Sequence, residues 1–319
     1  MNSAFQADAP ADADAKNWVD RYAPPPAKPY LRLMRADRPI GTWLLLIPCW
    51  QGLALAAAER RGFSDWPQLL AFALLFAVGA FVMRGAGCAY NDIVDKDFDA
   101  KVARTAMRPI PSGQISLGAA WAFLVALCLI GLAILLQFNP FTIYLGFGSL
   151  ALVALYPFMK RFTWWPQAWL GLAFNWGALM GFSAVAGGLG LASWALYAAG
   201  LAWTLGYDTI YAHQDKEDDA LIGVKSSARR LGNATKPALV VFYAATIALV
   251  ALAGALARAN PLFYVALLPA AAHFAWQILR LDINDAARCL AVFKSNREAG
   301  LLILAALLSI QALPALPPR

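Results

Sequence analysis

Residues 67–90 read P-Q-L-L-A-F-A-L-L-F-A-V-G-A-F-V-M-R-G-A-G-C-A-Y, and between Leu69 and Met83 no charged or strongly polar side chain interrupts the run. About 20 such residues, coiled as a helix, cross the roughly 30 Å of hydrocarbon in a bilayer. Eight further blocks share this pattern, so that nine occur in all: 41–58, 67–90, 117–138, 141–158, 166–186, 194–211, 237–257, 261–279 and 300–313. Pro67, Pro166, Pro237 and Pro261 stand at block starts, where the missing N–H costs a helix nothing. The strict alternation of a membrane β-barrel is absent. The 319 residues are 61% apolar and 14% charged, with a mean hydropathy of +0.55. These values exclude an ordinary soluble domain and predict an all-α, polytopic membrane protein with nine transmembrane helices.

Charge placement orients the chain, because lysine and arginine stay on the cytoplasmic side of short loops. With the N-terminus inside, 21 of the 26 lysines and arginines are cytoplasmic, and the C-terminus is outside. The same asymmetry accounts for the net charge of +7 without nucleic acid as a partner. The partner it implies is the lipid bilayer. Cys49, Cys88, Cys128 and Cys289 lie far apart with no metal-ligand spacing, and two histidines exclude a multi-histidine centre. Any bound metal must take oxygen ligands. Residues 1–34, rich in Ala, Asp and Pro, read as a disordered or surface tail, and 35–319 as the transmembrane domain.

Nine of the 19 acidic residues fall in two windows at the cytoplasmic ends of the second and sixth blocks. In N-D-I-V-D-K-D-F-D (91–99), Asn91, Asp95 and Asp99 stand at i, i+4 and i+8 and form one stripe of a helix; Asp92 and Asp97 point elsewhere. In D-T-I-Y-A-H-Q-D-K-E-D-D (208–219), Asp208, Asp215 and Asp219 share a face at i, i+7 and i+11. Like charges on one face repel, so a counter-ion is expected. Carboxylate and amide oxygens suit Mg²⁺, which prefers a few carboxylates together with phosphate oxygens. Two such stripes facing each other would hold a diphosphate through Mg²⁺. Lys101, Arg104 and Arg108 after the first window, and Lys225, Arg229 and Arg230 after the second, place positive charge where a phosphate ligand needs it.

These residues also carry a resemblance. The 91–99 window, R-T-A-M-R-P (104–109), the 208–219 window and G-V-K-S (223–226) resemble the UbiA superfamily of intramembrane prenyltransferases. Within it, R-A-D-R-P-I-G-T-W (35–43), M-R-G-A-G-C (83–88) and Y-P-F-M-K-R (156–161) are most similar to the ubiquinone-pathway 4-hydroxybenzoate polyprenyltransferases. The likeness runs from about Arg35 to Gly300. It implies helices around a central cavity with the acidic motifs at its cytoplasmic rim, and a place in the bacterial inner (cytoplasmic) membrane. It further implies that Asn91, Asp95, Asp99, Asp215 and Asp219 hold Mg²⁺ on a polyprenyl diphosphate. Lys101, Arg104, Arg108, Tyr156, Lys160, Arg161 and Lys225 are then candidates for the remaining phosphate oxygens.

Arg84 lies seven residues before Asn91, and Asp208 seven before Asp215, each about 10 Å deeper on its face. Ionisable groups at that depth are functional candidates. The expectation is that Arg84 fixes the carboxylate of 4-hydroxybenzoate while Asp208 accepts or orients its phenol proton; the alternative is a structural ion pair between them. Arg38 is a second carboxylate or phosphate candidate. Related prenyltransferases that act on haem, naphthoate, homogentisate or chlorophyllide would share the catalytic half, and a cation-coupled transporter is the reading of a different class.

Overall fold

A side-chain oxygen placed just before a helix accepts one of its orphan N–H groups, and a proline in the first turn removes another. This chain uses both devices at the water-facing ends of its apolar segments. Ser116 accepts from the N–H of Ala119, Asn139 from Thr142 and Asn260 from Phe263. Pro140, Pro166 and Pro261 open their helices. In lipid no water can satisfy a stray backbone group, so closing the ends in this way is what lets each segment stand.

The structure is a computed structural model that describes residues 17–59, 65–100, 105–221 and 223–311. The described residues form fourteen α-helices, short 3-10 turns and no strand. They are α1 (Trp18–Tyr22), α2 (Lys28–Leu33), α3 (Ile40–Glu59), α4 (Trp66–Asp99), α5 (Leu117–Leu135), α6 (Pro140–Phe162), α7 (Pro166–Ala186), α8 (Leu191–Ala212), α9 (Lys216–Leu221), α10 (Ser227–Leu231), α11 (Thr235–Leu256), α12 (Pro261–Arg280), α13 (Ala286–Lys294) and α14 (Asn296–Leu308). Each of the nine apolar blocks lies on one of them. Seven helical stretches among the described residues are long and apolar enough to cross a membrane. The other two blocks fall on α8, whose apolar run is broken by Asp208, and α14, which has 13 residues.

The expected N-terminal tail is different from Asn17 onward. Asn17 caps α1, Val19 is fully buried, and Arg32 of α2 reaches back to Asp20 at 2.7 Å. Trp18 donates to the carbonyl of Ala36 at 2.8 Å. Two helices of five and six residues carry no usable apolar period, but a few buried anchors are enough to fix them.

The described residues divide into two compact units. The first comprises those of Met1–Thr42 and Ala77–Gln137. In it Leu33, Val82, Ala89, Ile93 and Leu124 form a buried cluster, with Val19, Met34 and Ala36 as a second. The other unit comprises those of Trp43–Phe76 and Phe138–Arg319. Here α8 packs on α7 and α11, α7 on α6, and α12 on α11 and α14. Polar ties cross these contacts: Asn175 of α7 donates to Thr204 of α8 at 2.8 Å, and Trp203 of α8 to Asn296 of α14 at 2.9 Å. Asn175 therefore acts as a helix-to-helix link. The outward faces stay apolar, with Leu129, Tyr144, Val265 and Leu268 all more than half exposed. Lipid is the solvent that suits such faces, and the protein is an integral membrane protein.

Small residues let α3 and α7 touch backbone to backbone. Gly177 and Gly181 form a G-x-x-x-G step against Cys49 and Leu53, and Gly52 faces Ala178 and Phe182 in return. A Cβ at Gly181 would overlap the carbonyl of Cys49. Gly181→Leu is expected to lower the thermal unfolding midpoint in detergent by the equivalent of about 1–3 kcal/mol or more. Gly188→Ala, where a Cβ meets nothing within 4 Å, should leave it unchanged.

Candidate active site

Helix α4 has 34 residues, hence a length of about 50 Å, and the bilayer core accounts for only about 30 Å of it. The remainder is the stretch that carries the first acidic window. Because α4 stays helical to Asp99, Asn91, Asp95 and Asp99 do share one face, as their spacing requires. Asp95 is 1% and Asp99 8% exposed.

Asp92 is the surprise of this window: expected to point elsewhere, it is 0% exposed and at the centre of the local charge balance. Arg35 Nη2 donates to both of its carboxylate oxygens, at 2.8 and 3.0 Å. Arg108 Nη1 lies 3.4 Å from Asp92 Oδ1 and 2.7 Å from Asp99 Oδ2. Arg35 achieves its reach from a left-handed backbone, φ 61°, which a non-glycine residue adopts only when its surroundings hold it there. Burial pushes the Asp99 carboxyl above the ordinary range; Arg108 opposes that shift, and the charges of Asp92 and Asp95 add to it.

Two of the basic candidates have carboxylate partners. Arg108, read as a diphosphate contact, is engaged by Asp99 and Asp92, and Arg38, read as a substrate contact, is paired with Asp37 at 2.9 Å. Lys101 and Arg104 lie outside the described residues. Arg84 is half-buried two turns before Asn91, where its Nη1 meets Cys88 Sγ. Gly41 makes room for it: a Cβ there would lie 2.8 Å from Arg84 Nη2.

In the second window the helix does not run through. Helix α8 ends at Ala212, and α9 begins at Lys216. Between them the N–H groups of His213, Gln214 and Asp215 bond three residues back, to Ile210, Tyr211 and Ala212. A tightened turn of this kind rotates the next segment relative to α8. Asp208 is half-buried on α8 and Asp215 half-buried in the turn; the side chain of Asp219 lies outside the described set. His213, 4% exposed, anchors the break by a 2.9 Å bond from Nε2 to Thr235 Oγ1.

The remaining basic candidates are brought together. Lys225 donates its backbone N–H to the carbonyl of Lys160 at 3.1 Å and its Nζ to that of Phe162 at 3.3 Å. The ends of α6 and of the G-V-K-S loop are therefore adjacent. Tyr156 and Lys160 are half-buried there, and Arg161, exposed, lies over the ring of Phe158.

Among the described residues no three His, Cys, Asp or Glu side chains converge closely enough to hold a metal ion. The donor chemistry of the α4 end nevertheless fits Mg²⁺. Its candidate donors are the carboxylate oxygens of buried Asp95 and Asp99 and the amide oxygen of half-buried Asn91, and at Asp99 burial and neighbouring charge make the negative form costly in the absence of further positive charge.

Buried carboxylates matched by arginines at the end of a membrane-crossing helix, with a lysine cluster at the ends of α6 and the loop before α10, define a helical membrane protein built to handle anions. Residues 45–307 match the model of the UbiA prenyltransferase family, and the chain belongs to that family. It is 50% identical over 286 residues to the mitochondrial 4-hydroxybenzoate polyprenyltransferase of Rattus norvegicus, covering 89% of this chain and 75% of the rat protein. Among solved structures, a UbiA homologue from Aeropyrum pernix K1 is similar with a TM-score of 0.69 and 28% identity, covering 83% of this chain and 96% of that one. A UbiA homologue from Archaeoglobus fulgidus, solved with GPP and Mg²⁺ bound, shares the fold with a TM-score of 0.61 and 20% identity, covering 89% and 100%.

Arg35→Met should destabilise the protein by about 3 kcal/mol, because it leaves a buried carboxylate underpaired, whereas Arg35→Met combined with Asp92→Leu should recover most of the loss. Denaturant unfolding in detergent measures both. His213 gives a pH signature. Burial first, and Lys216 second, hold its pKa down to about 4 from 6.5. Folding favours the neutral ring, so its contribution is complete above pH 6.5 and is lost as pH falls toward 4. Over that window the unfolding midpoint of the wild type should fall further than that of His213→Gln.

Proposed function

We propose that this protein transfers a polyprenyl group from polyprenyl diphosphate to the ring carbon ortho to the hydroxyl of 4-hydroxybenzoate, with Mg²⁺, in ubiquinone biosynthesis. The observation that carries this reading is 50% identity, over nine-tenths of the chain, to a relative that bears the name of that activity. The charge asymmetry of the loops supports an N-terminus in the cytoplasm and a C-terminus outside, in a bacterial inner membrane. The same asymmetry, with nine apolar blocks all on helices, supports nine crossings.

Asn91, Asp95 and Asp99, with Asp215 and Asp219, would hold the metal. When bound, Mg²⁺ supplies positive charge that neutralises the departing diphosphate. The residues of the chain do the rest. Lys160, Arg161, Lys225 and Tyr156, together with Lys101 and Arg104, bind the outer phosphate oxygens and orient the allylic carbon. Arg108, beside Asp99, is a further diphosphate contact, and Arg38, beside Asp37, a second contact for the acceptor carboxylate. As the allylic C–O bond breaks, its electron pair leaves with the diphosphate; a C–C bond then forms to the ring, and the displaced ring proton is lost to base. Arg84 grips the carboxylate of the acceptor, and Asp208 draws on the phenol proton, enriching the ortho carbon.

A membrane-fraction assay with labelled 4-hydroxybenzoate and a long polyprenyl diphosphate tests this. A lipid-soluble product is expected, abolished by EDTA and reduced at least about a hundredfold by Asp95→Ala or Asp215→Ala. Arg84→Leu should raise KM for 4-hydroxybenzoate far more than KM for the diphosphate. No product from folded protein would transfer the reading to another aromatic acceptor.

A further inference from the structure

Outside this site, a cavity of about 440 Å³ opens beside the start of α11 and the end of α12, lined by Asn233, Lys236, Arg280, Asp282, Asn284 and Arg288. Its three cations are not equivalent. Arg288 lies 3.6 Å from Asp285 and 4.0 Å from Asp282. Lys236 and Arg280 have no ion-pair or hydrogen-bond partner among the described residues. Two uncompensated positive charges therefore share one polar cavity, and asparagine amides in its wall can donate beside them.

Each of these cations also ends a lipid-facing stripe. Val240, one turn after Lys236 on α11, is 53% exposed; Trp276, one turn before Arg280 on α12, is 45% exposed, and neighbouring Leu279 is 82% exposed. Both helices are long and apolar enough to cross the membrane, so the cavity stands at the depth of the headgroups with apolar side chains beneath it. Its wall is tied to the second acidic window: Lys216, adjacent to Asp215, donates to the carbonyl of Ile283 at 3.1 Å and to Asn284 Oδ1 at 2.7 Å.

We propose that this cavity binds the phosphate headgroup of an anionic phospholipid from the leaflet on the side of the acidic windows, with the acyl chains along Val240 and Trp276. Bridging of Lys236 and Arg280 by one phosphate steadies the α12–α13 turn, and through Lys216 the segment that carries Asp215. The inference is independent of the prenyl acceptor, and its readout is lipid retention rather than turnover.

The test uses the full-length protein in phosphatidylcholine nanodiscs containing phosphatidylglycerol, with native mass spectrometry of the lipid that remains bound. The wild type should retain phosphatidylglycerol in preference to phosphatidylcholine. In Lys236→Gln/Arg280→Gln the apparent affinity should fall on the order of thirtyfold, as expected for two cations at an anionic surface. Arg230→Gln, an exposed cation outside the cavity, should retain it like the wild type. Equal retention by the double variant, or equal loss in Arg230→Gln, would overturn the proposal. Displacement of the lipid by inorganic phosphate at a concentration no higher than that of phosphatidylglycerol would also overturn it, by showing that the cavity prefers a free anion to a lipid.

Discussion

Placing Asp92 out of reach of water is the constraint on which the first half of the molecule depends. An isolated buried carboxylate costs several kcal/mol, so positive charge has to be delivered to it through the fold. Arg35 delivers it from 57 positions earlier in the chain, and Arg108 from the segment after α4. Meeting that demand explains several features together. The chain from Asn17 to α3 is folded, Arg35 accepts a left-handed backbone, and Thr105 and Arg108 are drawn back against the end of α4. The end of α4 is thus held from two directions, and a helix end that extends beyond the bilayer becomes a fixed platform for Asp95 and Asp99.

Much of this molecule is legible in its sequence because two signals there are strong. Hydrocarbon demands about 20 consecutive apolar residues, and blocks of that length stand out against any background. All nine fall on helices. The stripe of Asn91, Asp95 and Asp99 is readable too, because α4 is continuous and a helical period holds only where the helix does. The second window is less legible: nothing in H-Q-D announces a tightened turn, and the anchor that fixes it, Thr235, lies 22 residues on. Proximity across such distances has no signature in one sequence. The role of Asp92 is hidden on those grounds, since the helical period points it away from the stripe and its partner Arg35 stands 57 positions earlier. The N-terminal segment escapes a periodic reading because helices of five or six residues are held by single anchors such as Val19 and Trp18, not by a repeating face.

Placement of charge also separates the two families of basic residues that composition merges. Four arginines of the first unit are engaged by carboxylates: Arg32 by Asp20, Arg35 by Asp92, Arg38 by Asp37 and Arg108 by Asp99. Planar guanidinium suits those directional, poorly hydrated pairings. In the second unit Lys225 meets the carbonyls of Lys160 and Phe162, which crowds three cations, with Arg161, onto one helix end. Like charges gathered in this way raise the local positive potential, and an arriving anion relieves it. The division is then a physical one: arginines near α4 offset buried carboxylates, and the cluster at the end of α6 concentrates positive charge.

Helix α8 shows why Asp208 and Asp215 should differ in behaviour although seven residues apart. Trp203, Thr204 and Thr209 tie α8 to Asn296, Asn175 and Ser227, all within its buried face. Tyr207 and Thr209, on either side of Asp208, are 2% and 0% exposed. A helix tied to its neighbours at several heights is held in rotation and in height, and Asp208 is carried on it. Asp215 comes after the helix has ended, on a turn anchored at His213 and Lys216. The break in the second window therefore separates Asp208, on a helix tied at several heights, from Asp215, on a turn between two anchors.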